Sequence, residues 1–222
     1  MDLQKIKLFS DLEPEKLELI KRMVRKRVYP KGTTVFVTGQ QADGLYIIYA
    51  GQVKVSIFHH DGREKTLAIL GAGEILGEVT LYGNKLRSAN AETVEVTTFL
   101  IITHDNFHAL LKALPGLSSK VIELLSERLR QASRQIEELT FLDARRRVIC
   151  SIIHLANEKG INVGNEILIT PSLTHVELAK MAGVTRETVT KVLNELQNEK
   201  LIGTSKRIIR VPNPTALNEQ LF

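Results

Sequence analysis

Two stretches of this 222-residue chain place chemically able side chains at close spacing. The first is Gly77 Glu78 Val79 Thr80 Leu81 Tyr82 Gly83 Asn84 Lys85 Leu86 Arg87 Ser88 Ala89. A glycine followed by a short helical turn aims backbone N–H groups at one spot, and an arginine with a neighbouring hydroxyl can close on that spot a few residues later. Bidentate guanidinium donors, a hydroxyl and turn amides are what a buried phosphate requires. Glu78 could pair with Arg87 and also hold a sugar hydroxyl. The competing reading is a structural Arg/Glu pair bracing a barrel wall.

The second stretch is Thr174 to Gln197. Thr174, x, x, Glu177 is a capping box opening one helix, Ala182 Gly183 Val184 Thr185 is a tight turn, and Thr185 caps a second helix. Val189, Val192, Leu193 and Leu196 fall on its inward face. Arg186, Glu187, Thr190, Lys191 and Asn194 fall outward near its start, where a recognition helix meets base edges. Arg and Lys can read guanine, and Glu can accept from cytosine. A plain αα-hairpin with a polar surface is the alternative.

Other candidates carry less. His104 and His108 stand at i, i+4 behind a Thr103 N-cap, and His59 His60 fall in a hairpin loop, but no third ligand accompanies either pair. Cys150, the single cysteine, lies in the apolar run VICSIIHLA and reads as an inert buried thiol. It leaves no intramolecular disulfide and no cysteine cluster. No Ser/His/Asp arrangement, paired carboxylate cleft or P-loop is recognisable, so the chain does not read as an enzyme.

These groups must be positioned by elements that change in kind along the chain. Residues 1 to 27 read as helical, with a capping box Ser10, x, x, Glu13, Pro14 in the first turn, and a basic cluster Lys21, Arg22, Arg25, Lys26, Arg27 closing the helix. That cluster reads as a solvated helix end or as a protein-contact patch. From Tyr29 to Thr103 short strands follow: TTVFV, GLYIIYA, VKVSIF, KTLAIL and TTFLII, with Asp61 Gly62 predicting a type I′ hairpin turn. They imply an antiparallel barrel or sandwich.

Leu117 to Phe141 then reads as one long helix of roughly 37 Å. Leu125, Leu129, Ala132, Ile136 and Leu139 form an a/d seam narrower than the face of a globular core. A second copy of the helix is its natural cover, which predicts a homodimer. Asp143 is a plausible N-cap for Ala144 to Glu158, and GINVGNEILITP reads as a short β wing.

The formal charge of +5 and a pI near 9.3 permit an anionic partner without selecting one. No signal-peptide core and no membrane-spanning apolar run is present, so a cytoplasmic protein without membrane association is expected.

GEILGEVTLYGNKLRSANAE resembles the phosphate-binding cassette of cyclic-nucleotide-binding domains, in particular that of the CRP/FNR family of bacterial transcription regulators. HVELAKMAGVTRETVTKVLNELQNEKLI resembles the same family's C-terminal winged helix-turn-helix. The resemblance covers nearly the whole chain in the family's domain order. It implies an α+β chain: an N-terminal antiparallel β-barrel or jelly roll over 1–116, a dimerisation helix over 117–141, and a winged helix-turn-helix over 142–222.

The resemblance also implies roles. Gly77, Glu78, Arg87 and Ser88 would hold the ribose and cyclic phosphate, with Val79 and Ala89 completing the cassette. The loop between Glu78 and Arg87 is one residue shorter than in one well-known member of the family. Counting back from Phe141 Leu142 Asp143, the family's adenine-contacting Thr-Ser pair falls on Ala132 and Ser133, so one hydroxyl is absent.

Thr185 to Val189 is close to the family's recognition-helix signature. It places Arg186, Glu187 and Lys191 at the base-reading positions of one well-known member, Lys191 where that member has Arg, with Thr190 beside them and Lys206, Arg207 and Arg210 suited to phosphates. The implied effector is cyclic AMP or another cyclic nucleotide, with no metal, haem or iron–sulfur cluster. The implied partners are double-stranded DNA bearing a palindromic TGTGA-like site, a second copy of the chain, and RNA polymerase. A regulator answering another effector or none stays open, as does a nucleotide-binding signalling module acting through protein contacts.

Overall fold

The computed structural model describes residues 2–83, 85–164, 166–170, 174–205 and 208–221. The chain divides into two compact units, 1–60 with 66–131 and 61–65 with 132–222.

The first unit opens on two short 3₁₀ turns, Leu3–Lys5 and Lys7–Phe9, before helix α1 (Pro14–Met23). The capping box expected at Ser10 and Glu13 does not form. Ser10 donates instead to the Lys7 carbonyl at 3.1 Å and to Asp11 at 2.8 Å, and Glu13 is an N-cap without a side-chain bond. Pro14 sits at the first helical position, where its missing N–H is not needed.

The expected helix end at Arg25 to Arg27 is a strand, β1 (Arg25–Tyr29). It pairs antiparallel from Arg25 with Ile101 to Tyr29 with Thr97, so ladder bonds override helical propensity there.

Eight strands make two four-stranded antiparallel sheets. They are β1, β2 (Thr34–Phe36), β3 (Gly44–Ala50), β4 (Val53–Phe58), β5 (Glu64–Leu70), β6 (Ile75–Leu76), β7 (Asn90–Thr93) and β8 (Thr97–Thr103). The sheet orders are β1-β8-β3-β6 and β2-β7-β4-β5. β1, β6 and β7 lay outside the sequence expectation because they are short or polar, and their partners rather than their composition define them.

The turn between β4 and β5 is not type I′. Gly62 has φ +88° but Asp61 does not share a positive φ, and Asp61 Oδ1 accepts the Arg63 N–H at 3.0 Å.

Strand β3 is buried on both faces, which explains its unbroken apolar run. Tyr46 and Ile48 point into a core with Phe36, Val53, Leu70, Leu76, Ala91 and Phe99, where Tyr46 and Phe99 meet edge to face at 5.6 Å. Leu45 and Ile47 face a second core with Phe9, Ile20, Leu100, Ile102, Phe107 and Leu117.

Two more helices follow, α2 (His104–Ala113) and α3 (Pro115–Phe141). Thr103 caps α2 by accepting from Asn106 N, as its spacing predicted. Leu117 and Val121 are the buried residues of α3. The seam beyond them is bare: Leu129 is 69% exposed and Ile136 65%.

In the second unit Asp143 caps α4 (Ala144–Lys159) by accepting from Arg146 N at 2.8 Å. The hairpin β9 (Gly160–Val163) and β10 (Glu166–Ile169) joins β11 (Gly203–Ser205) and β12 (Ile208–Val211) in a sheet ordered β11-β12-β10-β9. Helices α5 (His175–Ala182), α6 (Arg186–Asn198) and α7 (Pro214–Glu219) complete it, and α7 had no sequence expectation. Val148, Ile152, Leu178, Val189, Leu193, Leu196 and Val211 share its core. Cys150 is buried, and burial, then the charge of Glu138, pushes its thiol up to about 11. Among the described residues no helix is long and apolar enough to cross a membrane.

Candidate functional site

Strand β6 ends at Gly77, whose φ of +89° turns the chain into a single 3₁₀ turn, Glu78–Thr80. The Thr80 hydroxyl donates to the Gly77 carbonyl at 2.8 Å. Its oxygen lies 3.2 Å from His104 Nε2, so with its one proton spent it accepts from the imidazole.

Across from the turn, the backbone of Arg87 is locked by bonds to Gly39 at 2.8 Å and Gln40 at 2.9 Å. Its side chain is 1% exposed. The guanidinium lies 4.1 Å over the Phe36 ring and 5.4 Å from the Tyr46 ring. Nη2 donates to Asp43 Oδ1 at 2.7 Å and to the Gly44 carbonyl at 2.9 Å. Nε and Nη1 are buried and have no partner among the described residues. The second Asp43 oxygen accepts the Tyr46 hydroxyl at 2.8 Å.

The expected pairing of Glu78 with Arg87 is not what forms. Arg87 is held by Asp43, and Glu78 Oε1 lies 3.7 Å from Arg128 Nε on α3. Arg128 also reaches Glu74 at 3.7 Å and the Ile75 carbonyl at 3.4 Å. Burial raises the Glu78 carboxyl above the usual carboxylate range, with Arg128 opposing.

Val79 and Ser88 are exposed at the rim and Ala89 is buried. The cassette thus brings together Gly77, Glu78 and Arg87. Ser133 is exposed on α3 in the second unit.

Asp43, Phe36, Tyr46 and Arg128 escaped the sequence reading. Asp43 had passed as a turn residue beside Gly44, and Arg128 as a polar face of the long helix. Their only signal was an acid and an arginine that needed a partner. His108 meets Tyr82 edge-on at 5.0 Å and the His59 and His60 rings lie 3.9 Å apart; the described residues contain no group of three or more metal-capable side chains.

In the second unit the Thr174 capping box forms in both directions, with Glu177 N at 3.1 Å from the Thr174 hydroxyl and Thr174 N at 2.7 Å from Glu177 Oε2. Gly183 takes φ +66° at the turn. Thr185 caps α6 by accepting Thr188 N at 3.2 Å. Arg186, Glu187, Lys191 and Asn194 are exposed, while Val189, Val192, Leu193 and Leu196 are buried.

A backbone N–H and then the Thr185 hydroxyl hold the Glu187 carboxyl below its usual range. Thr190 is less open than these neighbours. It is half-buried, its hydroxyl donates to the Arg186 carbonyl at 3.0 Å, and it meets His175 Nδ1 at 2.8 Å. Lys206 and Arg207 lie outside the described residues, and Arg210 is 3.6 Å from Glu166.

A buried guanidinium cassette on a two-sheet domain, followed by a capped helix-turn-helix with an exposed polar recognition face, defines the ligand-binding and DNA-binding halves of a transcription regulator. The cyclic nucleotide-binding domain family matches residues 26–113, and the Crp-like helix-turn-helix domain family matches 146–220. The cyclic AMP receptor protein of Thermus thermophilus is 34% identical over 97% of this chain and 96% of its own length. The global nitrogen regulator of Synechococcus elongatus is 31% identical over 86% and 87%. A solved CooA mutant from Carboxydothermus hydrogenoformans shares the fold at TM-score 0.83 and 24% identity, over 98% of this chain and 96% of its own. The chain belongs to the CRP/FNR family of transcription regulators.

Proposed function

We propose that the chain is a homodimeric, sequence-specific DNA-binding regulator controlled by a cyclic nucleotide, cyclic AMP foremost, held in the cassette. The observation that carries this reading is Arg87, which is enclosed by protein yet keeps Nε and Nη1 without an acceptor among the described residues. A buried donor left unpaired costs about 1–3 kcal/mol. An anion supplied from outside removes that cost. In this reading Arg87 and Ser88 take the cyclic phosphate, Gly77 and Glu78 the ribose hydroxyl, and Val79 and Ala89 line the wall. Ser133 serves the base.

The division into an effector domain over 1–116, a dimerisation helix over 117–141 and a DNA-binding domain over 142–222 belongs to the same proposal. Two copies of α3 would cover each other's exposed Leu129 and Ile136. Arg186, Glu187 and Lys191 would read each half of a palindromic TGTGA-like site, with Thr185, Thr190, Lys206 and Arg207 supporting the contact. Half-sites one turn apart require recognition helices about 34 Å apart. Ligand binding would select that spacing, with a coupling of about 1 to 3 kcal/mol. The regulator would act in the cytoplasm rather than as an enzyme, and the basic residues Lys21 to Arg27 are the candidate contact for RNA polymerase.

Titration calorimetry with cyclic AMP and cyclic GMP tests the effector. Binding at one site per subunit, lost in Arg87→Ala, is expected. No heat from either nucleotide retires the cyclic-nucleotide mechanism and leaves the DNA-binding role intact. One observation favours that second reading, a regulator answering another small effector: Ala132 stands where the family's first adenine-contacting hydroxyl would be.

A further inference from the structure

His104 and His108, one turn apart on α2, both touch the cassette segment. His104 is the first residue of the helix and brings Nε2 to 3.2 Å from the Thr80 hydroxyl, and the His108 ring meets Tyr82 edge-on at 5.0 Å. His104 and Thr80 are both buried, so their bond is shielded from competing water. The Thr80 hydroxyl gives its one proton to the Gly77 carbonyl at 2.8 Å, which leaves its oxygen as an acceptor for the imidazole N–H. A chain of donation therefore runs from α2 through Thr80 to Gly77.

That chain has a firm end and a soft end. Helix α2 begins where β8 stops, and Thr103, its cap, pairs with Gly44 of β3, so the imidazole stands on the sheet. The turn Glu78–Thr80 is three residues long, with backbone bonds of 3.3 Å from Thr80 N to the Gly77 carbonyl and 3.1 Å from Leu81 N to the Glu78 carbonyl. A 3₁₀ turn this short has poor bond geometry and holds its shape weakly by itself. Gly77 also packs directly against the Arg87 guanidinium, so a shift of the turn reaches that side chain. Burial first and Arg87 second lower the His104 pKa, Lys85 and His108 act the same way, and Asp43 opposes them. The donor is thus a neutral imidazole, which adds no second cation beside Arg87.

We propose that His104 is a positioning residue of the effector site: by donating to Thr80 it holds the Gly77–Thr80 turn where Gly77 and Glu78 meet the ligand. The proposal rests on the reading of the cassette as a nucleotide site. Leucine in place of His104 would fill similar space but leave the Thr80 oxygen without its donor in a buried setting, and the turn would have to move to find another. Glutamine carries an uncharged N–H donor and can replace the imidazole.

Calorimetric titration of the full-length protein with cyclic AMP, alongside thermal melts, tests this on His104→Leu, His104→Gln, Thr80→Val and the His104→Leu, Thr80→Val double variant. His104→Leu should bind about tenfold more weakly than wild type. His104→Gln should recover affinity to within about threefold. Thr80→Val should lose about as much as His104→Leu, and the double variant should bind no more weakly than Thr80→Val alone, because residues acting through one bond do not add. A role in stability alone would lower the melting midpoint of His104→Leu and leave its affinity unchanged, and that result overturns the proposal. Glutamine binding as weakly as leucine, or losses that add in the double variant, overturn it too. Should His104→Leu not fold, Thr80→Val decides, since unchanged affinity there removes the link between the turn and the ligand. Failure of the nucleotide reading looks different: cyclic AMP would give no heat with wild type, and both proposals would fall together.

Discussion

Gly77 and Arg87 meet through an atom that Gly77 lacks: a Cβ there would lie 2.3 Å from Arg87 Nη1 and 3.1 Å from the Gly44 carbonyl. The same glycine holds φ at +89°, a conformation that a side chain makes costly by about 1–3 kcal/mol. Gly77→Ala should therefore act twice, lowering the thermal midpoint and pushing the guanidinium off its two free donors. Cyclic nucleotide affinity should fall by at least about tenfold. An alanine variant that binds with unchanged affinity would show that Nη1 does not face the ligand.

Glu78 should trade stability for binding. Its folded pKa lies above the ordinary 4.5, through burial opposed by Arg128. Between the unfolded and folded values the native state binds the extra proton, so stability falls as pH rises through that window, and the carboxylate is a net burden at neutral pH. Glu78→Gln should hold or raise the ligand-free denaturation midpoint at pH 7, and flatten its decline from pH 4.5 upward. Ligand affinity should drop at the same time. Parallel pH curves for the two proteins would contradict this.

The seam on α3 should decide the oligomeric state. Leu129 and Ile136 are 69% and 65% exposed and contribute little to the fold of one subunit. Leu129→Lys with Ile136→Lys should leave helical circular dichroism intact and convert the protein to a monomer in sedimentation equilibrium. Binding to a two-half-site operator should weaken by orders of magnitude, because half-sites then bind independently. A dimer that survives both substitutions would place the interface elsewhere.

On the helix-turn-helix, specificity and stability should separate. Arg186 is exposed at the start of α6, and Arg186→Ala should cost about 1–3 kcal/mol of discrimination at one base pair with little change in melting. Thr174→Ala removes the hydroxyl that accepts Glu177 N, one half of a formed capping box, and leaves the backbone N–H that donates to Glu177 Oε2. It should cost about 1 kcal/mol of domain stability while leaving base preference intact. Competition between operator variants, alongside thermal melts, measures both.

Local chemistry determined a good part of this protein from its sequence. The Thr174 box, the Thr103, Asp143 and Thr185 caps, the Gly183 turn and strands β3 and β4 depend on residues within a few positions of each other, so spacing alone specified them. The narrow a/d stripe likewise announced an uncovered helix face, which the exposures on α3 match. Gly77, Glu78 and Arg87 were legible as a group because the cassette is continuous in sequence.

Tertiary structure decided which partner each charge takes. Arg87 is paired with Asp43, 44 residues away, where an isolated bridge joins Gln41 to Leu86, and Glu78 lies 3.7 Å from Arg128 of α3. Residues 25–29 became a strand for a similar reason: β8 offered a ladder that no propensity at the end of α1 could announce. Sequence names the groups able to do chemistry, but burial and long-range pairing select which donors stay free, and among the described residues those include Nε and Nη1 of Arg87.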